Sequence, residues 1–193
     1  MRRTWLTSTA VAAAVVWGAV APAGALTATA ALKAKLLVVG QVPKGFLKEA
    51  TSSIEVFGCS GSAFPVGATA SASVSFNYGG PKGFPLITEE IGTFKTVTSA
   101  YAALAGGLAA CTTVSGTAHG STFTGTITKM SFKAFPDASA AYAVHVTLGS
   151  SVLYSDVLIV RHGNVLMDLQ EGGFAAVSAS AFRAIATAAV HKL

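Results

Sequence analysis

The strongest constraint on the fold lies between Ala140 and Gln170, where three successive segments have the composition of β-strands. They are rich in Val, Leu, Ile and Tyr, are separated by Gly and Ser, and run from Tyr142 to Leu148, Val152 to Arg161 and Val165 to Gln170. Gly163 and Asn164 tolerate the positive φ that a tight hairpin turn needs. The stretch therefore predicts a three-stranded antiparallel meander.

The middle segment of this meander is apolar on both faces. Leu158 and Val160 share one face with Val152 and Tyr154, whereas Leu153, Val157 and Ile159 share the other. Strands that are apolar on both faces are covered on both sides. The pattern predicts a central strand in a two-sided sheet.

Two amphipathic helices are predicted outside the meander. Val97, Tyr101, Leu104, Leu108 and Cys111 recur at spacings of three and four, the apolar stripe of a helix that ends near Cys111. Phe182, Ile185 and Ala189 give the segment from Ser180 to His191 a second apolar stripe. A shorter helix is predicted from Leu32 to Val39, after a loose N-terminal stretch from Leu26 to Ala31.

Several further strands complete the prediction. The alternation from Thr69 to Tyr78 predicts a strand with one polar side, on which Thr69, Ser71, Ser73, Ser75 and Asn77 lie. Solvent is the favoured surrounding for this side, and the alternative is the polar wall of a cleft. Leu47 to Phe57 is predicted as the first strand, and Leu86 to Ile91 fits either a strand or a helix. The apolar parity changes between Phe123 and Phe132, which predicts a β-bulge. The fold class is α+β, a mostly antiparallel sheet packed against helices, with the meander followed by the last helix.

The N-terminus has the pattern of an export signal. Arg2 and Arg3 precede an apolar stretch from Ala10 to Val20, which is shorter than the roughly 20 residues of a membrane span. Ala23-Gly24-Ala25 is a small-x-small cleavage pattern, so residues 1–25 are predicted as a signal peptide cleaved after Ala25. The alternatives are an uncleaved membrane anchor and, from the paired arginines, a twin-Arg export route.

Cleavage would leave about 168 residues, residues 26–193, enough for a single domain with one core. No cysteine near the cleavage position can accept a lipid, so the expected location is secreted or extracellular, with no transmembrane helix in the mature chain. Removal of Arg2 and Arg3 lowers the formal net charge from +5 to +3, and the remaining basic residues are scattered. This excludes a nucleic-acid-binding protein and leaves solubility or attraction to an anionic envelope as the meaning of the charge.

The chain has two cysteines, Cys59 and Cys111. In an exported protein such a pair is expected to form a disulfide bond, and this one would close a loop of about 50 residues and stabilise the fold by about 4 kcal/mol. A metal site is the weaker alternative because two ligands so far apart, without clustered His or Asp, do not match zinc spacing. No cofactor is predicted.

The candidate reactive groups each have a structural explanation. His145 lies on the less apolar face of its strand, His119 and His162 lie in turns, and His191 lies near the C-terminus. Asp156 and Asp168 fall on adjacent strands and could form the carboxyl pair of a glycosidase, although surface carboxylates are the more usual result. No nucleophile elbow or metalloprotease motif occurs, so the prediction is a protein that is not an enzyme.

Four motifs resemble the PknH-like extracellular sensor domain family, and in order they span Leu32 to Lys192. They are Val42-Pro43-x-Gly45-Phe46, the Ala-rich helix from Tyr101 to Cys111, Phe135-Pro136-Asp137 with the following Ala138 to Tyr142, and the strand, turn and strand from Val157 to Val165. Two departures stand out. The family's sensor domain has two disulfide bonds where this chain allows one, and Pro136 replaces the usual Gly before Asp137.

The resemblance implies a secreted, non-enzymatic, sensor-like domain with a cleft for an extracellular ligand. The ligand would be a small or lipidic molecule or an envelope component, and the candidate ligand-binding residues are Tyr142, Tyr154 and Arg161. The alternatives are an envelope-associated structural or protein-interaction module and, third, a secreted hydrolase that uses Asp156, Asp168 or a histidine.

Overall fold

The computed structural model describes residues 23–49, 64–80, 84–118, 121–132, 135 and 137–193. These residues form three α-helices, a short 3-10 helix and eight strands of one antiparallel sheet, which confirms the predicted α+β class. The elements in chain order are α1 Ala23–Lys33, the 3-10 helix Val39–Gln41, β1 Phe46–Glu49, β2 Ala70–Tyr78, β3 Leu86–Thr93, α2 Val97–Ala110, β4 Thr113–Ala118, β5 Ser121–Lys129, β6 Ala138–Leu148, β7 Ser151–His162, β8 Val165–Gly173 and α3 Ala179–Val190.

The sheet consists of two runs of consecutive strands. Its order is β1-β2-β3-β8-β7-β6-β5-β4, so β1 to β3 form one run and β4 to β8 form the other. The two runs meet where β3 pairs antiparallel with β8, in a register that places Glu90 opposite Asp168 and Thr88 opposite Gln170. Helix α2 is the connection from the first run to the second.

Both faces of the sheet are covered by helices. Leu158 and Val160 on β7 belong to a buried cluster that includes residues of α1 and α3, whereas Val157 and Ile159 belong to a second cluster with residues of α2. All four side chains are at most 1% exposed. The predicted central strand, apolar on both faces, is therefore confirmed. We refer below to the α1/α3 face and the α2 face of the sheet.

The C-terminal half follows the sequence closely. The meander strands β6, β7 and β8 are confirmed, and Gly163, with φ +56°, is the first residue of the two-residue turn between His162 and Val165. Helices α2 and α3 are confirmed as well. The hydroxyl of Ser178 caps α3 by accepting a hydrogen bond from the Ala181 backbone N–H, which satisfies an amide that would otherwise lack a partner.

Several predictions in the N-terminal half are wrong in detail. The segment from Leu26 to Ala31, predicted as loose, belongs to α1, which ends at Lys33, so the helix predicted from Leu32 to Val39 is wrong beyond its first two residues. Val39 begins the 3-10 helix and is exposed, although Leu32 and Leu36 are buried. Helix α1 packs on β2, and this contact fixes the segment in a way that its low-information composition does not reveal. Leu86 to Ile91 forms a strand, β3, so the helical alternative is excluded.

The β-bulge predicted between Phe123 and Phe132 is also wrong. The register of β5 with β6 is unbroken from Phe123 to Lys129. Phe123 and Ile127 pack on the α2 face, whereas Met130 and Phe132, which follow β5, pack in the cluster on the α1/α3 face. The apolar positions switch from one parity to the other because the two pairs belong to clusters on opposite faces of the sheet. The sequence does not predict β4, whose buried apolar side chain is Val114.

Some predictions fall on residues that are not described. Residues 1–22 of the predicted signal peptide, most of the predicted strand from Leu47 to Phe57, Cys59, His119 and Pro136 lie outside the described ranges. The predicted cleavage position at Ala25 lies within α1. In the described ranges, none of the helices combines the length and the apolar character needed to span a membrane.

Candidate functional site

Polar side chains cover part of the α2 face where β2, β3, β8 and β7 lie side by side. On β2, Ala72, Val74 and Phe76 pack in the cluster on the α1/α3 face, so the residues that alternate with them face α2. The same alternation places the polar residues of the three neighbouring strands on this face. We call the set the polar floor; its members are Ser73, Ser75, Asn77, Thr88, Glu90, Ser155, Asp168 and Gln170.

The strand registers bring the members of the polar floor into rows across the sheet. Ser73, Glu90 and Asp168 are successive register partners on β2, β3 and β8. Ser75, Thr88 and Gln170 form the next row. The sequence predicts solvent for the polar side of β2, and this is wrong for Ser75 and Asn77, which are 0% and 6% exposed.

Most of the polar floor is buried, and several of its atoms lack a protein partner. The Gln170 Nε2 group donates a hydrogen bond of 3.0 Å to Asp168 Oδ2. Within the described ranges, no hydrogen-bond partner is present for Asp168 Oδ1, Gln170 Oε1, Asn77 Oδ1 or Ser155 Oγ. Buried polar atoms without a partner cost free energy, and in native proteins they indicate bound water or a ligand. The polar floor therefore presents unused hydrogen-bonding capacity.

The carboxyl groups of the polar floor favour their neutral forms. Burial raises the pKa of Asp168 to about 7; the hydrogen bond from Gln170 opposes this rise and the neighbouring Glu90 adds to it. Burial also raises the pKa of Glu90. Because the two carboxyls are register partners, two negative charges in this row would repel each other.

An apolar groove lies on the same face of the sheet as the polar floor, and its lining, as far as the structure describes it, includes no member of the floor. A cavity of about 750 Å³ lies between the segment from Phe64 to Thr69 and the first turns of α2, and its lining includes Phe94, Ala100 and Leu104. Gly92, two residues from Glu90 on the same face of β3, lies against this groove. A side chain at Gly92 would approach the ring of Phe64 to 3.0 Å, so the glycine lets that ring lie close to the sheet.

The structure does not bring together the three predicted ligand-binding residues. Tyr142 is 3% exposed, and its hydroxyl donates a 2.8 Å hydrogen bond to the Ala105 carbonyl of α2. Arg161, also on the α2 face, donates to Thr98 Oγ1 at 3.0 Å. Tyr154 lies on the α1/α3 face, where its ring centroid is 5.0 Å from that of His145. None of the three is part of the polar floor.

The carboxyl pair considered for a glycosidase is also separated. Asp168 belongs to the polar floor, whereas Asp156 alternates with Val157 and faces the α1/α3 side. The register partner of Asp156 is Glu171. Asp156 and Asp168 therefore cannot act on one substrate from the same side of the sheet.

His162 and Asp137 connect two of the motifs on which the family resemblance rests. His162 Nδ1 lies 3.3 Å from Asp137 Oδ2, and the same oxygen accepts a 2.9 Å hydrogen bond from the Gly163 backbone N–H. Asp137 has φ +71°, a conformation that Asp tolerates better than most residues. These contacts give both residues a role in the hairpin turn. Among the described residues, no group of three or more His, Cys, Asp or Glu could hold a metal ion.

Comparison with known proteins gives a match at the level of structure. No protein-family profile matches the chain, and no curated protein matches it. The crystal structure of the extracellular domain of PknH from Mycobacterium tuberculosis superposes with a TM-score of 0.63, at 14% sequence identity over 83% of this chain and 93% of that one. The chain therefore has a PknH-like fold.

Proposed function

We propose that this protein is a non-enzymatic, sensor-like domain that binds a ligand on the polar floor outside the cytoplasm. The observation that carries the proposal is the set of buried, unpartnered polar atoms on Asn77, Ser155, Asp168 and Gln170. A ligand that hydrogen-bonds to these atoms would remove the cost of burying them. The apolar groove beside Gly92, on the same face of the sheet, offers such a ligand an apolar contact surface.

The likeness to the extracellular domain of PknH and the N-terminal export pattern support an extracellular site of action. Binding is favoured over catalysis by the chemistry of the site. A serine nucleophile needs a base within hydrogen-bond reach, and no described residue hydrogen-bonds to Ser155 Oγ.

The test is native mass spectrometry of the protein secreted by its own host, compared with the denatured mass of the same sample. We expect an adduct that denaturation removes. Thr88→Tyr places a ring on the polar floor and should abolish the adduct, whereas Thr124→Tyr, an exposed position on β5, should retain it. Absence of an adduct in the native protein, or an adduct that both variants keep, would overturn the proposal.

A second candidate function is a protein-interaction module. Phe84 and Phe174 form an exposed aromatic pair, 45% and 60% exposed with ring centroids 4.9 Å apart, and exposed apolar pairs of this kind are typical of contact surfaces. Cross-linking in intact cells tests this function. A partner protein captured by the native chain and lost with Phe174→Ser, while Thr88→Tyr still captures it, would favour the interaction module over the ligand-binding domain.

A further inference from the structure

We infer that the polar floor selects an uncharged ligand with several separated hydroxyl groups, such as a sugar or a cyclitol. This inference rests on the proposed function and names the class of ligand. It follows from which atoms of the polar floor are unused, how far apart they lie and what charge surrounds them.

The unused atoms are predominantly acceptors. Asp168 Oδ1, Gln170 Oε1 and Asn77 Oδ1 can accept hydrogen bonds, and Ser155 Oγ can both accept and donate. Gln170 donates through Nε2 to Asp168 Oδ2, and this bond fixes the amide so that its oxygen remains available. A complementary ligand must therefore supply several hydrogen-bond donors.

The acceptors are too far apart for one donor group to satisfy them. Asn77 lies on β2 and Gln170 on β8, with β3 between them, which separates the two strands by about 10 Å. Ser155 lies one strand further, on β7. A single ammonium group reaches partners within about 3 Å, so the donors must be distributed over a ligand of sugar-like dimensions.

The local charge favours a neutral ligand over an anion. The polar floor contains two carboxyl groups, those of Glu90 and Asp168, and no basic side chain. A phosphate or carboxylate on the polar floor would meet repulsion from any ionised carboxyl and would have no basic member of the floor to pair with. Lys95 lines the apolar groove and is not a member of the polar floor. Ligand hydroxyls can donate to a carboxylate and can accept from a protonated carboxyl, so they suit either form of Asp168.

Saturation-transfer difference NMR on the mature chain, freed of any co-purifying molecule by refolding, tests the inference. The probes are methyl glucoside, myo-inositol, methylammonium and methyl phosphate, each added alone, and each carries carbon-bound protons that can report saturation transfer. We expect saturation transfer to one or both polyols and none to the two ions. A comparison of saturation transfer to methyl glucoside and to myo-inositol shows whether the protein binds a sugar or a cyclitol.

Two isosteric variants locate the binding. Asn77→Leu and Gln170→Met each remove an acceptor while keeping the volume, and each should weaken polyol binding at least tenfold. Asn77→Leu should do so without lowering the melting temperature, whereas Gln170→Met also removes the hydrogen bond to Asp168 and should lower it. Thr124→Val, on exposed β5, should bind as the native chain does. Binding of methylammonium or methyl phosphate alone, no polyol binding, or equal polyol binding by all variants would each overturn the inference. The proposed function would then still be judged separately by the native adduct and its loss in Thr88→Tyr.

Discussion

Asp156 on β7 and Glu171 on β8 are register partners on the α1/α3 face, and both are buried, at 8% and 7% exposed. Burial raises the pKa of Glu171 to about 7, and the neighbouring Asp156 adds to the rise. Burial also raises the pKa of Asp156, although His145 opposes it. Two buried carboxyls side by side favour a state in which at least one is protonated.

From this pair of carboxyl groups we predict that the folded protein loses stability as the pH rises. Since the pKa of Glu171 is raised from 4.5 in the unfolded chain to about 7 in the folded protein, the folded state binds the extra proton between these values. The free energy of unfolding should therefore fall by about 1 kcal/mol for each pH unit in that range. Glu171→Gln should remove this part of the dependence and raise stability at pH 8, measured by urea unfolding at pH 5 and pH 8. An unchanged difference between the two pH values would contradict the prediction.

A second prediction compares the stabilities of two substitutions of the buried residue Glu89. Its Oε2 atom accepts a 2.6 Å hydrogen bond from the Leu37 backbone N–H, and burial raises its pKa to about 7. Glu89→Gln keeps an acceptor and removes the ionisable group, so it should stabilise the protein at pH 8. Glu89→Leu leaves the Leu37 amide without a partner and should be about 1–3 kcal/mol less stable than Glu89→Gln. Chemical denaturation of both variants at pH 8 checks the order, and equal stabilities would refute the role of this hydrogen bond.

Tyr142 is predicted to act in stability rather than in binding. Tyr142→Phe removes the hydrogen bond to the Ala105 carbonyl and should lower the free energy of unfolding by about 1 kcal/mol. Tyr154→Phe is the matched control, because in the described structure Tyr154 has a ring contact with His145 and no hydroxyl hydrogen bond. The control should change stability by much less. A larger loss for Tyr154→Phe would reverse this assignment.

The predicted disulfide bond between Cys59 and Cys111 can be tested directly. Cys111 caps the C-terminal end of α2, so a bond there would hold the end of the helix that covers the α2 face. We expect intact-mass analysis of the native protein to show no alkylation without reductant. Reduction should lower the free energy of unfolding by about 2–4 kcal/mol. Alkylation of both cysteines in the native protein would eliminate the predicted bond.

The sequence predicts the elements better than it predicts the site. Period-2 and period-3.6 patterns identify β7, α2 and α3, because their apolar side chains face the core of the same domain. The alternating serines of β2 have the pattern of a solvent-facing strand, and only the position of β2 within an eight-stranded sheet shows that Ser75 is buried. One signal was available in β8, where Asp168 and Gln170 alternate with apolar residues inside a strand that is buried throughout.

The carboxyl pairing shows how a small register error changes a functional hypothesis. Counting outward from Gly163 suggests that Asp156 lies close to Asp168, but the turn is closed by His162 and Val165, so Asp156 lies opposite Glu171. Because successive side chains on a strand point to opposite faces, a shift of one residue exchanges the two sides of a sheet. Parity along β7 and β8 would have separated Asp156 from Asp168 without a structure.

The junction between β3 and β8 has a consequence for folding. Each run of strands can assemble through connections between consecutive strands, whereas this junction joins segments far apart in the chain and costs more loop entropy to close. Asn77, Thr88 and Glu90 lie on one side of the junction, and Asp168, Gln170 and Ser155 lie on the other. A molecule held by both groups would act as a clasp between the two halves of the sheet. Binding of this molecule should therefore slow the hydrogen exchange of the backbone amides along β3 and β8.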